Sequence, residues 1–168
     1  MKKIVIIING TGGAVKDTLC QIAARHYKTA NISAITPIKK IARENGWNGE
    51  KDAKSRKFLS DLKMLFAEYN DLPTRYLYDQ YRLFLESDDE LLFAHIREKA
   101  EIDKFKDLVD TPCVTLLVER KSETGEKWGN TSDDEVKDYD YDFVFENDGT
   151  IEDAERDFTA FLDRLFNE

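Results

Sequence analysis

Cysteine is scarce in this chain: Cys20 and Cys113 are the whole complement among 168 residues. They lie far apart and lack the paired spacing that holds a metal, so each reads as a small buried residue in a reduced, cytoplasmic setting. Long hydrophobic runs are lacking too. The run Ile4 to Ile8 is far too short to span a bilayer, and no basic segment leads into a cleavage site, so neither a membrane span nor a secretory leader is expected. Positive charge is in deficit, with 25 Lys and Arg against 34 Asp and Glu and a formal net charge of −9. That balance argues against a nucleic acid polymer as the main partner, because neutralising its phosphates takes a basic face. A local basic pocket for a small phosphorylated ligand stays open. Internal repeats, low-complexity tracts and linkers are also missing, so a single domain is expected over 1–168.

What is there suits a globular protein with a real core: 41% hydrophobic residues against 35% charged. Lys3 to Ile8, Leu91 to Ile96 and Cys113 to Val118 are short, apolar and continuous, as strands covered on both faces must be. Tyr141 to Glu146 reads as a further strand and Ala30 to Ile35 as a weaker one. Helical patterns fall between them. Thr18 to Tyr27 is one. Pro37 to Asn45 is another, with Thr36 as N-cap and Pro37 at the first helical position. Phe58, Leu59, Leu62, Leu65 and Phe66 share helical spacing, as do Tyr76, Leu77, Tyr81, Phe84 and Leu85. A last helix starts at Thr150 with Asp153 three residues on, which resembles a capping box, and its apolar face is Ala154, Phe158, Phe161, Leu162 and Leu165. Alternating strands and helices predict an α/β fold, a three-layer doubly wound parallel sheet whose ligands bind beyond the carboxyl ends of the strands.

The first strand runs into Asn9-Gly10-Thr11-Gly12-Gly13-Ala14-Val15-Lys16-Asp17-Thr18, and a helix follows. Strand, glycine-rich loop and helix is the setting a phosphate loop needs. Glycines let successive N–H groups turn toward an anion, and the helix N-terminus adds positive partial charge. Against the pattern G-x-x-x-x-G-K-[ST], Gly10 and Lys16 are in register, whereas Val15 replaces the second glycine and Asp17 the Ser/Thr. A β-branched residue at 15 would crowd a bound phosphate or hold the backbone in a conformation valine disfavours. Gly10, Gly12, Gly13, Ala14, Val15, Lys16, Asp17 and Thr18 are the candidate residues for the phosphates of a nucleotide. The bland alternative is a tight turn.

Gly10 to Thr18 with its strand resembles the phosphate loop of bacteriophage-type deoxynucleoside monophosphate kinases and their adenylate-kinase-like relatives. Ala34-Ile35-Thr36-Pro37-Ile38-Lys39 is similar to the start of their nucleotide-monophosphate helix, and Ser55-Arg56-Lys57-Phe58-Leu59 to the arginine-bearing helix after it. His95-Ile96-Arg97-Glu98 sits where they have a strand ending in Asp-Thr-Arg. Val118-Glu119-Arg120 resembles their strand-to-lid junction, and Asn147-Asp148-Gly149-Thr150 the loop by the base. The resemblance implies a P-loop NTPase fold, ATP and Mg²⁺ as cofactors, and a small nucleotide as acceptor. It implies Lys16, Arg97 and Arg120 as the catalytic set, Lys39 and Arg56 on the acceptor, and Asp17 at the metal. His95 replaces an acid that would normally help hold Mg²⁺, with Asp17 or Glu98 as substitutes. Otherwise His95 is a hydrogen-bonded strand-end histidine, His26 a helix-end residue, and each arginine a solvated surface group.

Residues 121–136 are polar, contain Gly125, Gly129 and Trp128, and read as a short lid. Two functional readings follow: an ATP-dependent nucleoside or deoxynucleoside monophosphate kinase, or a nucleotide-binding or regulatory protein on the same fold that has lost turnover. A homodimer is left open.

Overall fold

The computed structural model describes residues 2–10, 16–119, 136–146 and 149–168. The strands are β1 (Ile4–Gly10), β2 (Thr29–Ser33), β3 (Leu91–His95), β4 (Cys113–Glu119) and β5 (Phe143–Glu146). The helices among these residues are α1 (Lys16–Ala24), α2 (Thr36–Glu44), α3 (Ala53–Asn70), α4 (Leu72–Glu86), α5 (Lys99–Leu108) and α6 (Ile151–Asn167). All pairings are parallel and the strand order is β2-β3-β1-β4-β5. This is the expected α/β architecture with a doubly wound sheet.

The pleat divides the core. Ile4, Ile6 and Ile8 point to one face with Leu91 and Phe93, and pack against Leu19, Ile22 and Ala23 of α1 and Phe158 and Leu162 of α6. Val5 and Ile7 point to the other with Leu92 and Ala94, and meet Leu77, Tyr81 and Phe84 of α4 and Ile102 and Phe105 of α5. β1 therefore has no solvated face, which explains why its sequence does not alternate.

Element ends follow local chemistry, with two corrections. The capping box at Thr150 and Asp153 is formed in both directions. In α2, Thr36 is not the N-cap: Ile35 precedes the helix in near-helical conformation with no side-chain cap, and Thr36 is already helical. α3 has the expected period, but its expected apolar face is not its buried face. Ser60 and Lys63 are buried, whereas Phe58 and Leu65 are exposed. α5 has no counterpart among the expected elements. It buries Ile102 and Phe105, one turn apart, in a segment otherwise dominated by charge.

For the site, register decides most. Ile8 and Ser33 both pair with His95, where β2 and β3 end, and β1 runs on through Asn9 and Gly10 beside β4. The β1–α1 junction, the start of α2 and the segment His95 to Glu98 thereby share one edge of the sheet.

Candidate active site

Asn9 is the last side chain before the glycines and is fully buried. Its Oδ1 accepts from Gly10 N at 2.9 Å, and its Nδ2 donates to Arg97 O at 3.1 Å and Tyr141 Oη at 2.9 Å. Tyr141 Oη in turn donates to Val136 O at 2.6 Å. One amide thus joins the end of β1, the segment after β3 and the approach to β5. A polar residue ending a fully apolar strand was the available sequence signal for this role.

At the N-terminus of α1, Lys16 Nζ lies 3.3 Å from His95 Nδ1. His95 Nε2 lies 3.0 Å from Asn31 Oδ1. An ammonium only donates and an amide oxygen only accepts, so these partners assign the neutral tautomer with the proton on Nε2. Burial, then the Lys16 charge, pushes the His95 pKa down to about 4, which keeps the ring neutral. Burial, then the Arg97 charge, lowers Lys16 to about 8. Cys20 Sγ is 3.9 Å from His95 Nε2, and burial raises its thiol to about 12, so it is no nucleophile. Sequence reasoning placed His95 at a strand end but not against Lys16.

Beyond this pair opens a cavity of about 700 Å³ between the sheet edge and α2–α3. Lys16, Asp17, Lys39, Arg56 and Arg97 all line it, and so do Arg43, Lys51 and Trp47, which sequence reasoning missed. Partial burial, then the charges of Lys51, Arg43 and Arg97, lowers the Lys39 pKa. Cationic side chains are therefore crowded into one cleft of a protein whose net charge is −9. The Arg43 guanidinium lies over the Trp47 ring, 4.7 Å from its centre, and Trp47 Nε1 donates to Glu50 O at 3.0 Å. The loop between α2 and α3 is thus a structured rim of the cavity.

Lys63 is only 5% exposed. It ion-pairs with Glu98 and, at 2.7 Å, with Glu101. Burial, then a hydrogen bond to Glu98, raises the Glu101 pKa well above the usual carboxylate range. Lys63 between two carboxyl groups offsets the cost of burying Glu101, which an unpaired charge there would carry in full. It fixes α3 to the start of α5 in the cavity wall, which Lys63 and Glu98 help line.

Of the sequence-derived residues, Gly10, Lys16, Asp17, Thr18, Lys39, Arg56 and Arg97 fall at this edge or on these walls. Gly12, Gly13, Ala14, Val15 and Arg120 lie outside the described residues, as do 121–135 and Asn147 and Asp148. Asp17 lines the cavity beside Lys16 and offers the hard oxygen that Mg²⁺ takes. Among the described residues no three His, Cys, Asp or Glu side chains converge as a metal-binding group. Mg²⁺ at a kinase site needs only one or two carboxylates beside the substrate phosphates, so Asp17 fits that demand.

A five-stranded all-parallel sheet in the order 2-3-1-4-5, with β1 at its centre and helices on both faces, is an α/β fold of the P-loop kinase-like class. Two solved structures share it over nearly their whole length. One is a sugar kinase from Janibacter sp. at 11% identity, covering 97% of this chain and 95% of that one with a TM-score of 0.54. The other is the tunicamycin resistance protein of Deinococcus radiodurans at 14% identity, covering 96% of each with a TM-score of 0.51. At these identities the likeness shows the fold. No family model and no curated protein matches the sequence. Among the described residues no helix is long and apolar enough to cross a membrane.

Proposed function

We propose that the chain is a nucleoside or deoxynucleoside monophosphate kinase, moving the γ-phosphoryl group of ATP to the phosphate of a small nucleotide acceptor. The observation that carries the reading is one cavity on which Lys16, Arg97, Lys39 and Arg56 converge. Phosphoryl transfer asks for in-line positioning and for positive charge around the moving group, more than for a covalent catalyst. Lys16, at the start of α1, faces the donor phosphates. Arg97 stands between the two halves, its charge felt by both Lys16 and Lys39, and stabilises the charge in transit. Lys39 and Arg56, on the α2–α3 side, hold the acceptor phosphate. Arg120 joins this set on the resemblance alone. Mg²⁺ at Asp17, when bound, supplies further neutralisation of the donor charge. An acceptor phosphate oxygen forms the new P–O bond as the bond from the γ-phosphorus to its bridging oxygen breaks. The products are ADP and a nucleoside diphosphate.

The test incubates the purified chain with ATP, Mg²⁺ and each common ribo- and deoxynucleoside monophosphate, reading ADP and the new diphosphate by chromatography. A subset of acceptors is expected to give both in equal amounts. Transfer only to a hydroxyl acceptor such as a sugar would overturn the reading. The second reading, nucleotide binding without turnover, is favoured by His95, a neutral ring against Lys16 where the resembled kinases carry an acid. It is the outcome if calorimetry shows ATP binding while every acceptor stays unchanged.

A further inference from the structure

Arg43 is held in one position by the loop that follows α2. Its guanidinium lies over the Trp47 ring, 4.7 Å from the centre. Trp47 is itself fixed, since its backbone N–H donates to Ala42 O at 3.0 Å and its Nε1 to Glu50 O at 3.0 Å. Stacking covers one face of the guanidinium and leaves its N–H groups pointing outward in the plane. Gly49 stands before them, at a φ of +95°. A Cβ there would come 3.3 Å from Nη1, 3.5 Å from Nη2 and 3.8 Å from Cζ of Arg43. That order of distances puts the missing methyl group in front of the edge the two nitrogens share, where a guanidinium takes an oxyanion. Glycine at 49 thus serves both the backbone and the space. Arg43 and Gly49 both line the cavity.

The surrounding charge says what belongs in that space. Arg25, Lys28, Lys57 and Lys104 on the outer surface each reach a carboxylate. Among the described residues Lys39, Arg43 and Lys51 form no ion pair. Glu50, on the same wall, is turned to Asn48 Nδ2 at 3.2 Å. After partial burial, the charges of Lys51 and Arg43 do most to lower the Lys39 pKa, and Asp17 only partly offsets them. The three cations therefore repel one another across this wall. In the kinase reading Lys39 and Arg56 already match the charge of one acceptor phosphate. Arg43 and Lys51 add two positive charges, and a further phosphate monoester carries about two negative ones.

We propose that Arg43, Gly49 and Lys51 form a second phosphate site, and that the preferred acceptor is a nucleoside bisphosphate, with one phosphate on the 5′ oxygen and one on the ribose at 2′ or 3′. The 5′-phosphate takes the phosphoryl group at Lys39 and Arg56, and the ribose phosphate is held end-on by the Arg43 fork. A second phosphate on the 5′ chain would instead make the acceptor a product of the reaction. The identity of the acceptor rests on the kinase reading; the phosphate site does not.

Calorimetric titration of the full chain without ATP tests it, comparing the 5′-monophosphate of each common nucleoside with its 2′,5′- and 3′,5′-bisphosphates. For at least one base a bisphosphate is expected to bind about tenfold tighter or more than the monophosphate. Arg43→Gln combined with Lys51→Gln is expected to reduce that ratio to about threefold or less. Gly49→Ala keeps every charge but fills the space before the guanidinium, and is expected to reduce the ratio likewise in a variant whose circular dichroism spectrum is unchanged. Equal binding of mono- and bisphosphates for every base, or no binding of either, overturns the proposal. So does a ratio that survives the double variant. Adding ATP and Mg²⁺ separates the two readings. A bisphosphate preference without transfer strikes the kinase reading and leaves the site standing, whereas transfer to monophosphates with no such preference strikes the site alone.

Discussion

Lys16 rests against a neutral imidazole, and that contact shapes what the residue can do. An acidic neighbour would raise the lysine pKa and share its charge. His95, held near 4, leaves the charge available while still accepting a hydrogen bond. Lys16→Ala is therefore expected to lower ATP affinity at least about tenfold in calorimetric titration, with the melting temperature little changed, since His95 keeps its bond to Asn31. Equal affinity in the variant would remove the loop from nucleotide binding. Glu101 gives a prediction of opposite kind. Its folded pKa is raised above the unfolded value, so the folded state binds more protons between the two, and stability falls as pH rises through that interval. Glu101→Gln removes the titration while leaving Lys63 paired to Glu98. Its melting temperature is expected to stay level from about pH 5 to about pH 8, where that of the wild type declines. Parallel profiles would show that Glu101 is not the buried proton carrier.

Among the elements, α6 shows local and tertiary signals in agreement. Thr150 Oγ1 accepts from Asp153 N at 3.1 Å, and Asp153 Oδ2 accepts from Thr150 N at 3.2 Å. Gly149 admits this closure, since a Cβ there would come 2.5 Å from Asp153 Oδ2. Thr150→Ala is expected to cost about 1 kcal/mol, a fall of about 2–4 °C in melting temperature. An unchanged midpoint would mean the box contributes nothing beyond the packing of Phe158, Phe161 and Leu162. α5 and α3 show the signals parting. Two apolar residues one turn apart do not announce a helix in a charged decapeptide, yet Ile102 and Phe105 suffice once the sheet supplies the other side of the contact. In α3 the period was legible and the facing was not, because Lys63 outcompetes the leucines for the interior through its two glutamates.

At the scale of the molecule, positive charge is gathered at one sheet edge while the whole carries −9, which focuses attraction for anions there. The cavity divides by element: Lys16 and Asp17 on α1, Lys39 on α2 and Arg56 on α3. Arg56→Ala is accordingly expected to raise the acceptor KM about tenfold or more with ATP affinity unchanged, the reverse of Lys16→Ala. A loss of ATP binding in steady-state or calorimetric data would place Arg56 on the donor instead. The sequence by itself determined the strands and the cap of α6, since continuity of apolar residues and a capping pair are properties of neighbours in the chain. It also carried Lys16, Arg56 and Arg97 as candidates through residue type. Only the tertiary structure decided that Lys16 meets His95 79 positions away, that Asn9 ties Gly10 to Arg97, that Lys63 is buried and Leu65 is not, and that Arg43, Lys51 and Trp47 belong to the cleft. Each of these depends on which surfaces the sheet brings together, and parallel strands are joined only by long crossovers, so the partners are remote in sequence.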